Sequence, residues 1–175
     1  MKKIEKVISI LTSIVSTLSY LGFLAVMVLI VVDVVMGKVT GGVTRVIGAY
    51  EIIQYLLLCG VFASFAYTQS LHGHVHVTML ISKFPQKLRF LIYGITYILS
   101  AATAALLTYA AAAQANYSIS AGTKTGVLGI PLFPFFWVEC FCMAIFAITL
   151  VWDVVKSFIA MFNKEVAEEI QSTWA

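Results

Sequence analysis

The chain has 175 residues, of which 61% are hydrophobic and only 11% are charged, and its mean hydropathy is +0.99. A soluble domain carries about 25% charged residues, so this composition excludes a soluble globular protein. The formal net charge is +3, but the basic residues lie between apolar blocks and form no patch for nucleic acid.

The apolar residues come in blocks of about 20 or more, the length that an α-helix needs to cross about 30 Å of hydrocarbon. The strands of a membrane barrel would alternate over about ten residues, and no such alternation is present. The sequence therefore predicts an all-α integral membrane protein that forms a single membrane domain. Its four spans are expected at about residues 10–36, 50–68, 88–115 and 132–157. Three cysteines fall within these spans and are interpreted as buried apolar side chains: Cys59, Cys140 and Cys142.

The first span follows three lysines and is too long for the core of a signal peptide, so we expect it to remain uncleaved. Its early part is only mildly apolar because serines and threonines interrupt it: Ser9, Thr12, Ser13, Ser16, Thr17 and Ser19. This part is expected to lie at the membrane interface or against another helix. Asp33 lies near the far end, where we expect it to reach lipid head groups or a partner.

A glycine-rich loop with Lys38 and Arg45 separates the first span from the second. Glu51 stands at the start of the second span, on one helical face with Gln54 and Tyr55. Two interpretations of Glu51 stay open. It is either a solvated carboxylate that the helix dipole favours, or a residue that contacts a partner protein.

Residues 69–87 are too apolar for a free loop and predict a short amphipathic linker helix on the membrane surface, ended by Pro85. His72, His74 and His76 alternate within this segment. Neighbouring members of the trio would lie about 200° apart on a helix and would not converge on one metal ion. We therefore expect interfacial hydrogen bonding from these histidines and no metal site.

The third helix is longer than the hydrocarbon core, so it must tilt or extend into water. Small residues recur four apart in its second half: Ala101 and Ala105, then Ala104, Thr108 and Ala112. Such spacing lets two helix backbones approach closely in lipid. The alternative interpretation is alanine-rich filler without a packing role.

The fourth span begins near Pro131 and Pro134, which the first turn of a helix tolerates. Glu139 lies inside this span, and a carboxylate at the centre of a span costs about 2.5–3.5 kcal/mol on insertion scales. We expect Glu139 to face protein, to be paired or to be protonated, with partial snorkelling as the alternative. Trp137 and Trp152 bracket the span as interfacial aromatic residues.

The basic residues predict the orientation of the chain. Eight fall on one side of the spans, namely Lys2, Lys3, Lys6, Lys83, Lys87, Arg89, Lys156 and Lys164. Three fall on the other side, namely Lys38, Arg45 and Lys124. The positive-inside rule then places both termini and the histidine segment in the cytoplasm, which agrees with an even number of spans.

No motif in the sequence indicates catalysis. There is no phosphate-binding loop, no nucleophile elbow and no Cys/His spacing typical of a metal site. The spans also lack the broken helices and inverted halves expected of an autonomous secondary transporter. These features favour an accessory membrane protein that is not an enzyme.

A pattern of spaced motifs resembles a known family. Gly-Ala-Tyr-Glu at 48–51, a span, and Gly-His-Val-His-Val at 73–77 before a basic, proline-containing loop resemble the small membrane subunit of tripartite ATP-independent periplasmic (TRAP) transporters. Gly-Ile-Pro at 129–131 also fits, and the resemblance covers roughly residues 10–160. Two positions depart from the family pattern. Lys38 or Arg45 stands in for an arginine after the first span, and Thr78 replaces an aspartate after the histidine motif.

The resemblance implies a fixed scaffold in the bacterial inner membrane, surrounded by lipids. In that family the small subunit pairs with a large membrane subunit whose elevator motion is driven by sodium. A periplasmic substrate-binding protein delivers an organic acid, such as a dicarboxylate, a sugar acid or sialic acid. The resemblance implies no cofactor in this chain, since the family binds sodium in the large subunit. The candidates for contact with partners are Asp33, Arg45, Glu51, His74, His76 and Glu139.

Two other functions fit parts of the sequence. A membrane anchor of a respiratory enzyme would bind haem or quinone, but haem needs axial histidines on facing helices, and all three histidines lie in one loop. A small four-span drug exporter uses an intramembrane glutamate in a dimer, a role open to Glu139. The chain is long for that class, however, and Glu139 lies in the last span.

Overall fold

The structure, a computed structural model, describes residues 2–71, 85–163 and 166–167. Four helices account for most of this part: α1 (Lys2–Val39), α2 (Ala49–Ser70), α3 (Gln86–Ala121) and α4 (Phe133–Ala160). Each is long and apolar enough to cross a membrane, which confirms the predicted all-helical architecture with four possible spans. The described residues contain no strand, although Lys124 and Pro131 form an isolated antiparallel bridge.

The helices extend beyond the predicted spans at most of their ends. α1 has 38 residues and α3 has 36, so at 1.5 Å per residue they measure about 57 Å and 54 Å. Both exceed the hydrocarbon core, as the apolar pattern predicted for α3. The limits of the predicted spans follow the apolar residues. The helices continue past these limits because polar residues with good helix propensity also fit the helical hydrogen-bond pattern. Most of the predicted linker helix, residues 72–84 with His72, His74 and His76, lies outside the described residues, and its two ends belong to α2 and α3.

Glycines set two of the helix ends. Gly122 ends α3 in the left-handed conformation (φ 60°), and the N–H of Thr123 donates to the Ser118 carbonyl at 3.2 Å. Gly48 precedes α2 with φ 73°, and a Cβ there would collide with the side chain of Leu128. Glycine is therefore required at Gly48 by both its conformation and its close neighbour. Pro134 lies in the first turn of α4, as predicted.

The helices do not pack in the order of the sequence. α1 packs mainly against α2, and α3 packs mainly against α4. α2 and α4 join these two pairs, while α3 makes few contacts with α1 or α2. The spatial order is therefore α1–α2–α4–α3, with α1 and α3 on the two flanks.

The buried face of α3 repeats every seven residues, which keeps one side of the helix against α4. Its members are Phe90, Tyr97, Ala104, Ala111 and Ser118. Ala104 belongs to the predicted small-residue face and is 1% exposed. Ala105 is exposed, so the packing face passes through Ala111 and Ala115 and the predicted register is wrong at that position.

α1 buries a polar stripe and exposes most of its apolar residues. Thr12, Ser16 and Ser19 are buried, which places these three against another helix, one of the two predicted positions, whereas Ser9, Ser13 and Thr17 are exposed. The Ser19 Oγ donates to the Gly60 carbonyl of α2 at 2.6 Å. Only 11% of the most apolar part of α1 is buried within the chain, against 33% for α4. The remaining apolar surface of α1 must be covered by lipid or by another protein.

Candidate functional site

Glu51 connects the first turn of α2 to the loop between α3 and α4. The backbone N–H of Val127 donates to its Oε1 at 2.7 Å, and that of Leu128 donates to its Oε2 at 3.0 Å. One carboxylate thus binds two consecutive loop residues that lie 76 and 77 positions away in the sequence. Hydrogen bonds to a charged acceptor are stronger than neutral ones. We call this two-point contact the Glu51 clamp.

The loop that Glu51 binds is also closed by its own hydrogen bonds. The N–H of Thr125 donates to the Ile130 carbonyl at 2.9 Å, and the N–H of Ile130 donates to the Thr125 Oγ1 at 3.0 Å. Between them, Gly129 adopts φ 67°, a conformation that a side chain rarely tolerates. The Glu51 clamp therefore binds a turn that its own hydrogen bonds already order.

Asp33 binds the loop between α1 and α2 in a similar way. Its Oδ1 accepts the backbone N–H of Val46 at 2.9 Å. Its Oδ2 lies 3.9 Å from the Arg45 guanidinium, whose side chain is 70% exposed. An exposed pair at this distance adds little stability, so the backbone hydrogen bond is the main contact.

The structure brings three predicted residues to one end of the bundle, which we call the Glu51 end. It comprises Asp33, Arg45 and Glu51 with residues 40–48 and 122–132. Neither interpretation of Glu51 anticipated its bond to the loop. Contact of Asp33, Arg45 and Glu51 with a partner protein stays a prediction.

The opposite end of α2 contains a second polar contact, which the sequence analysis missed. The Gln69 Nε2 donates to the Asp153 Oδ2 at 2.7 Å, and each residue is only 3% exposed. Tyr97 of α3 is also buried and lies within electrostatic reach of Asp153. A buried charge requires a partner, so an aspartate within the predicted fourth span was a signal for this pair. We call this region the Asp153 end.

Glu139 lies about two turns into α4 and is half-buried. Among the described residues, no side chain or backbone group forms a hydrogen bond or ion pair with it. Cys59 of α2 lies within electrostatic range of its carboxyl group. Glu139 therefore faces protein on one side, while the predicted pairing is not present in the described part of the chain.

An apolar groove of about 420 Å³ lies between α1, α2 and α4. Trp137 and Phe141 of α4, Cys59 of α2 and Leu18 of α1 contribute to its walls. All three cysteines are free thiols and are buried or half-buried. Within residues 2–71, 85–163 and 166–167, no three His, Cys, Asp or Glu side chains are grouped to hold a metal ion.

A comparison with protein families identifies a family for this chain. The family model of the DctQ component of tripartite ATP-independent periplasmic transporters matches residues 26–160, more than three quarters of the chain. The matched region includes the Glu51 clamp and both members of the Gln69–Asp153 pair. No curated protein and no solved structure matches the chain. The family match confirms the resemblance: the chain belongs to the DctQ-component family, the small membrane component of TRAP transporters.

Proposed function

We propose that this chain is the non-catalytic small subunit of a sodium-driven TRAP transporter for organic acids. It acts as a fixed scaffold beside a large elevator-type membrane subunit and helps to dock a periplasmic substrate-binding protein. The family match supports the transporter assignment. A dicarboxylate, a sugar acid or sialic acid is the proposed substrate, with sodium bound by the large subunit.

The two polar contacts at the ends of α2 are the observation on which the scaffold role rests. The Glu51 clamp connects α2 to the loop that precedes α4, and the Gln69–Asp153 pair connects α2 directly to α4. Sliding of α2 along α4 would break both contacts at once. Between them, Tyr55 stacks on Phe135 with ring centroids 4.8 Å apart. A subunit braced in this way resists the forces that a moving neighbour exerts.

The exposed apolar surface of α1 supports the presence of a membrane partner and of lipids. Its buried stripe faces α2, whereas large apolar residues on its other sides are exposed: Leu18, Leu21, Leu24, Met27, Val28 and Val31. This surface can pack against helices of a large subunit by van der Waals contact. Lipid covers whatever part of α1 the partner leaves open.

We further propose that the Glu51 end faces the periplasm and that both termini lie in the cytoplasm. The distribution of basic residues supports this orientation, since Lys38, Arg45 and Lys124 are outnumbered by those on the other side. The periplasmic binding protein then meets the loops of the Glu51 end.

The test is purification of the tagged chain, expressed from its native locus, in a mild detergent. We expect a stoichiometric membrane protein of many spans to co-purify, together with sodium-dependent uptake of an organic acid when the complex is reconstituted with its binding protein. A chain that purifies alone or as a homodimer would contradict the proposal. Removal of the chain should abolish uptake, and the wild-type chain should restore it.

A further inference from the structure

The apolar groove between α1, α2 and α4 lies at the middle depth of the bundle. Its α2 wall runs from Leu56 to Ala63, which leaves about 10 Å of helix on each side within α2 (Ala49–Ser70). In a membrane, this depth corresponds to the hydrocarbon core, which is about 30 Å thick. The groove is therefore remote from lipid head groups and from water on both sides.

The walls of the groove contain no group that would hold water. Among the residues that the structure describes, no charged side chain lines it. Ser19 is a polar lining residue, and its hydroxyl already donates to the Gly60 carbonyl at 2.6 Å. A buried water molecule needs about two to four polar partners, whereas an apolar cavity stays dry and binds apolar molecules. The chemistry of the groove therefore selects hydrocarbon.

The groove extends from the surface of the bundle to its interior. Leu18 of α1 and Phe141 of α4 line it and are 63% and 61% exposed, whereas Cys142 also lines it and is only 3% exposed. A Cβ added at Gly22 would meet no atom of α2 or α4 within 4 Å. Because α1 makes few contacts with α4, the groove occupies a gap that side chains of these two helices leave open.

We infer that the groove binds one acyl chain of a membrane phospholipid. A cavity of about 150 Å³ binds benzene, so the groove, at about 420 Å³, has room for roughly 17 carbon atoms, the size of one acyl chain. A phospholipid keeps its head group at the membrane surface while the chain enters the groove. A free fatty acid would bring its carboxylate toward walls that supply no charged partner.

The bound acyl chain connects two helices that barely contact each other. An unfilled gap forfeits the dispersion contacts of the side chains around it. A chain in the groove restores these contacts and holds α1 beside α4, in addition to the packing of α1 on α2. Binding involves this subunit alone, so it stands independently of the proposed transport function.

The test is photo-crosslinking of the protein, with the partners that co-purify, in nanodiscs of phosphatidylcholine that carries a diazirine near the methyl end of one acyl chain. Mass spectrometry then locates the cross-links. We expect them at Cys142, which surrounding lipid does not contact, as well as at Leu99, which is 70% exposed on α3. Gly22→Leu fills the groove and should lower the ratio of Cys142 to Leu99 cross-links by about fivefold or more.

Ala102→Leu adds the same side chain at an exposed position of α3 and is the matched control, which should leave the ratio unchanged. Gly22→Ala should give a smaller decrease, and it replaces Gly22→Leu if that variant fails to assemble. Wild-type protein without cross-links at Cys142, or equal ratios in the Gly22 variants and Ala102→Leu, would overturn the proposal.

Two further results would assign the groove to another occupant and also overturn the proposal. Cross-links at Cys142 that occur only when the subunit is separated from its partners would indicate that a partner side chain fills the groove. Stronger cross-linking by a diazirine fatty acid at the same membrane concentration would indicate a free fatty acid.

Discussion

The two ends of α2 are held by contacts of different kinds. At the Glu51 end, a solvent-accessible carboxylate binds backbone N–H groups of a loop. At the Asp153 end, the Gln69 amide donates to the Asp153 carboxylate, and both side chains are buried. The first contact depends on one side chain, since any residue other than proline can supply the N–H. The second depends on both residues, and loss of either leaves the other buried without its partner.

The largest effect is expected from Gln69→Leu. This change leaves the Asp153 carboxylate buried without its donor, so we expect a loss of about 2–3 kcal/mol in the free energy of unfolding. Thermal unfolding of the purified complex measures the loss. The double variant Gln69→Leu/Asp153→Leu should recover part of it, because it removes both groups of the pair together, while the Tyr97 hydroxyl beside them stays buried. A single variant as stable as the wild type would contradict the importance of the pair.

Glu51→Ala is expected to act locally, on the loop and not on the whole bundle. Water replaces the carboxylate at this accessible site, so the complex should still assemble. Amide hydrogen exchange at Val127 and Leu128 should become at least about tenfold faster. Glu51→Gln should give an intermediate rate, because its amide keeps one acceptor oxygen. Tyr50→Ala, at the exposed neighbouring position, is the control, and equal rates in Tyr50→Ala and Glu51→Ala would count against the clamp.

Ser19→Ala tests a third contact, in the middle of the membrane-spanning part. The variant removes the donor to the Gly60 carbonyl, and a hydrogen bond between membrane helices contributes about 0.6 kcal/mol on average. We expect a small decrease in the thermal stability of the complex. Ser13→Ala, an exposed serine on the same helix, should cause no decrease. The contact is unimportant if the two variants unfold at the same temperature.

Arg45→Ala should have the smallest effect on stability, about 0–0.5 kcal/mol. The guanidinium is exposed and 3.9 Å from Asp33, which keeps its bond to the Val46 N–H in the variant. Asp33→Ala should cost more, since it removes that backbone contact as well. Thermal unfolding at low and high salt measures both variants. An Arg45→Ala loss that equals the Asp33→Ala loss would show that the ion pair is the dominant contact.

The difference between the two ends of α2 also explains which features could be predicted from the sequence. Four spans and the family resemblance follow from apolar block lengths and from short motifs such as Gly-Ala-Tyr-Glu at 48–51, which are local properties. Glu51 was identified because a carboxylate at the start of a span is conspicuous. Its bond to Val127 and Leu128 was not predicted, because it depends on how a distant loop folds back.

The contact at the Asp153 end was not predicted from the sequence for a different reason. Asp153 is as visible in the sequence as Glu139, but it follows Trp152 near the end of a predicted span and passes for an interfacial residue. Asp153 is buried because Gln69 of α2 and Tyr97 of α3 pack around it. Ala105, alone among the predicted small residues of α3, is exposed for the same reason, since the position of α4 decides which alanines are covered. The histidines remain predictions because they lie outside the described residues.

The spatial order α1–α2–α4–α3 has a consequence for synthesis of the chain. The chain is synthesised from its N-terminus, so α1 and α2 can pair as a hairpin as soon as both have entered the membrane. α3 then enters with few contacts available to it, because its packing face fits α4 and not α2. Of these four helices, the last to be made is therefore the one that inserts between the others and joins them. Until Phe133–Ala160 has been translated, the membrane contains the α1–α2 hairpin and a separate α3. Insertion of α4 then completes the bundle.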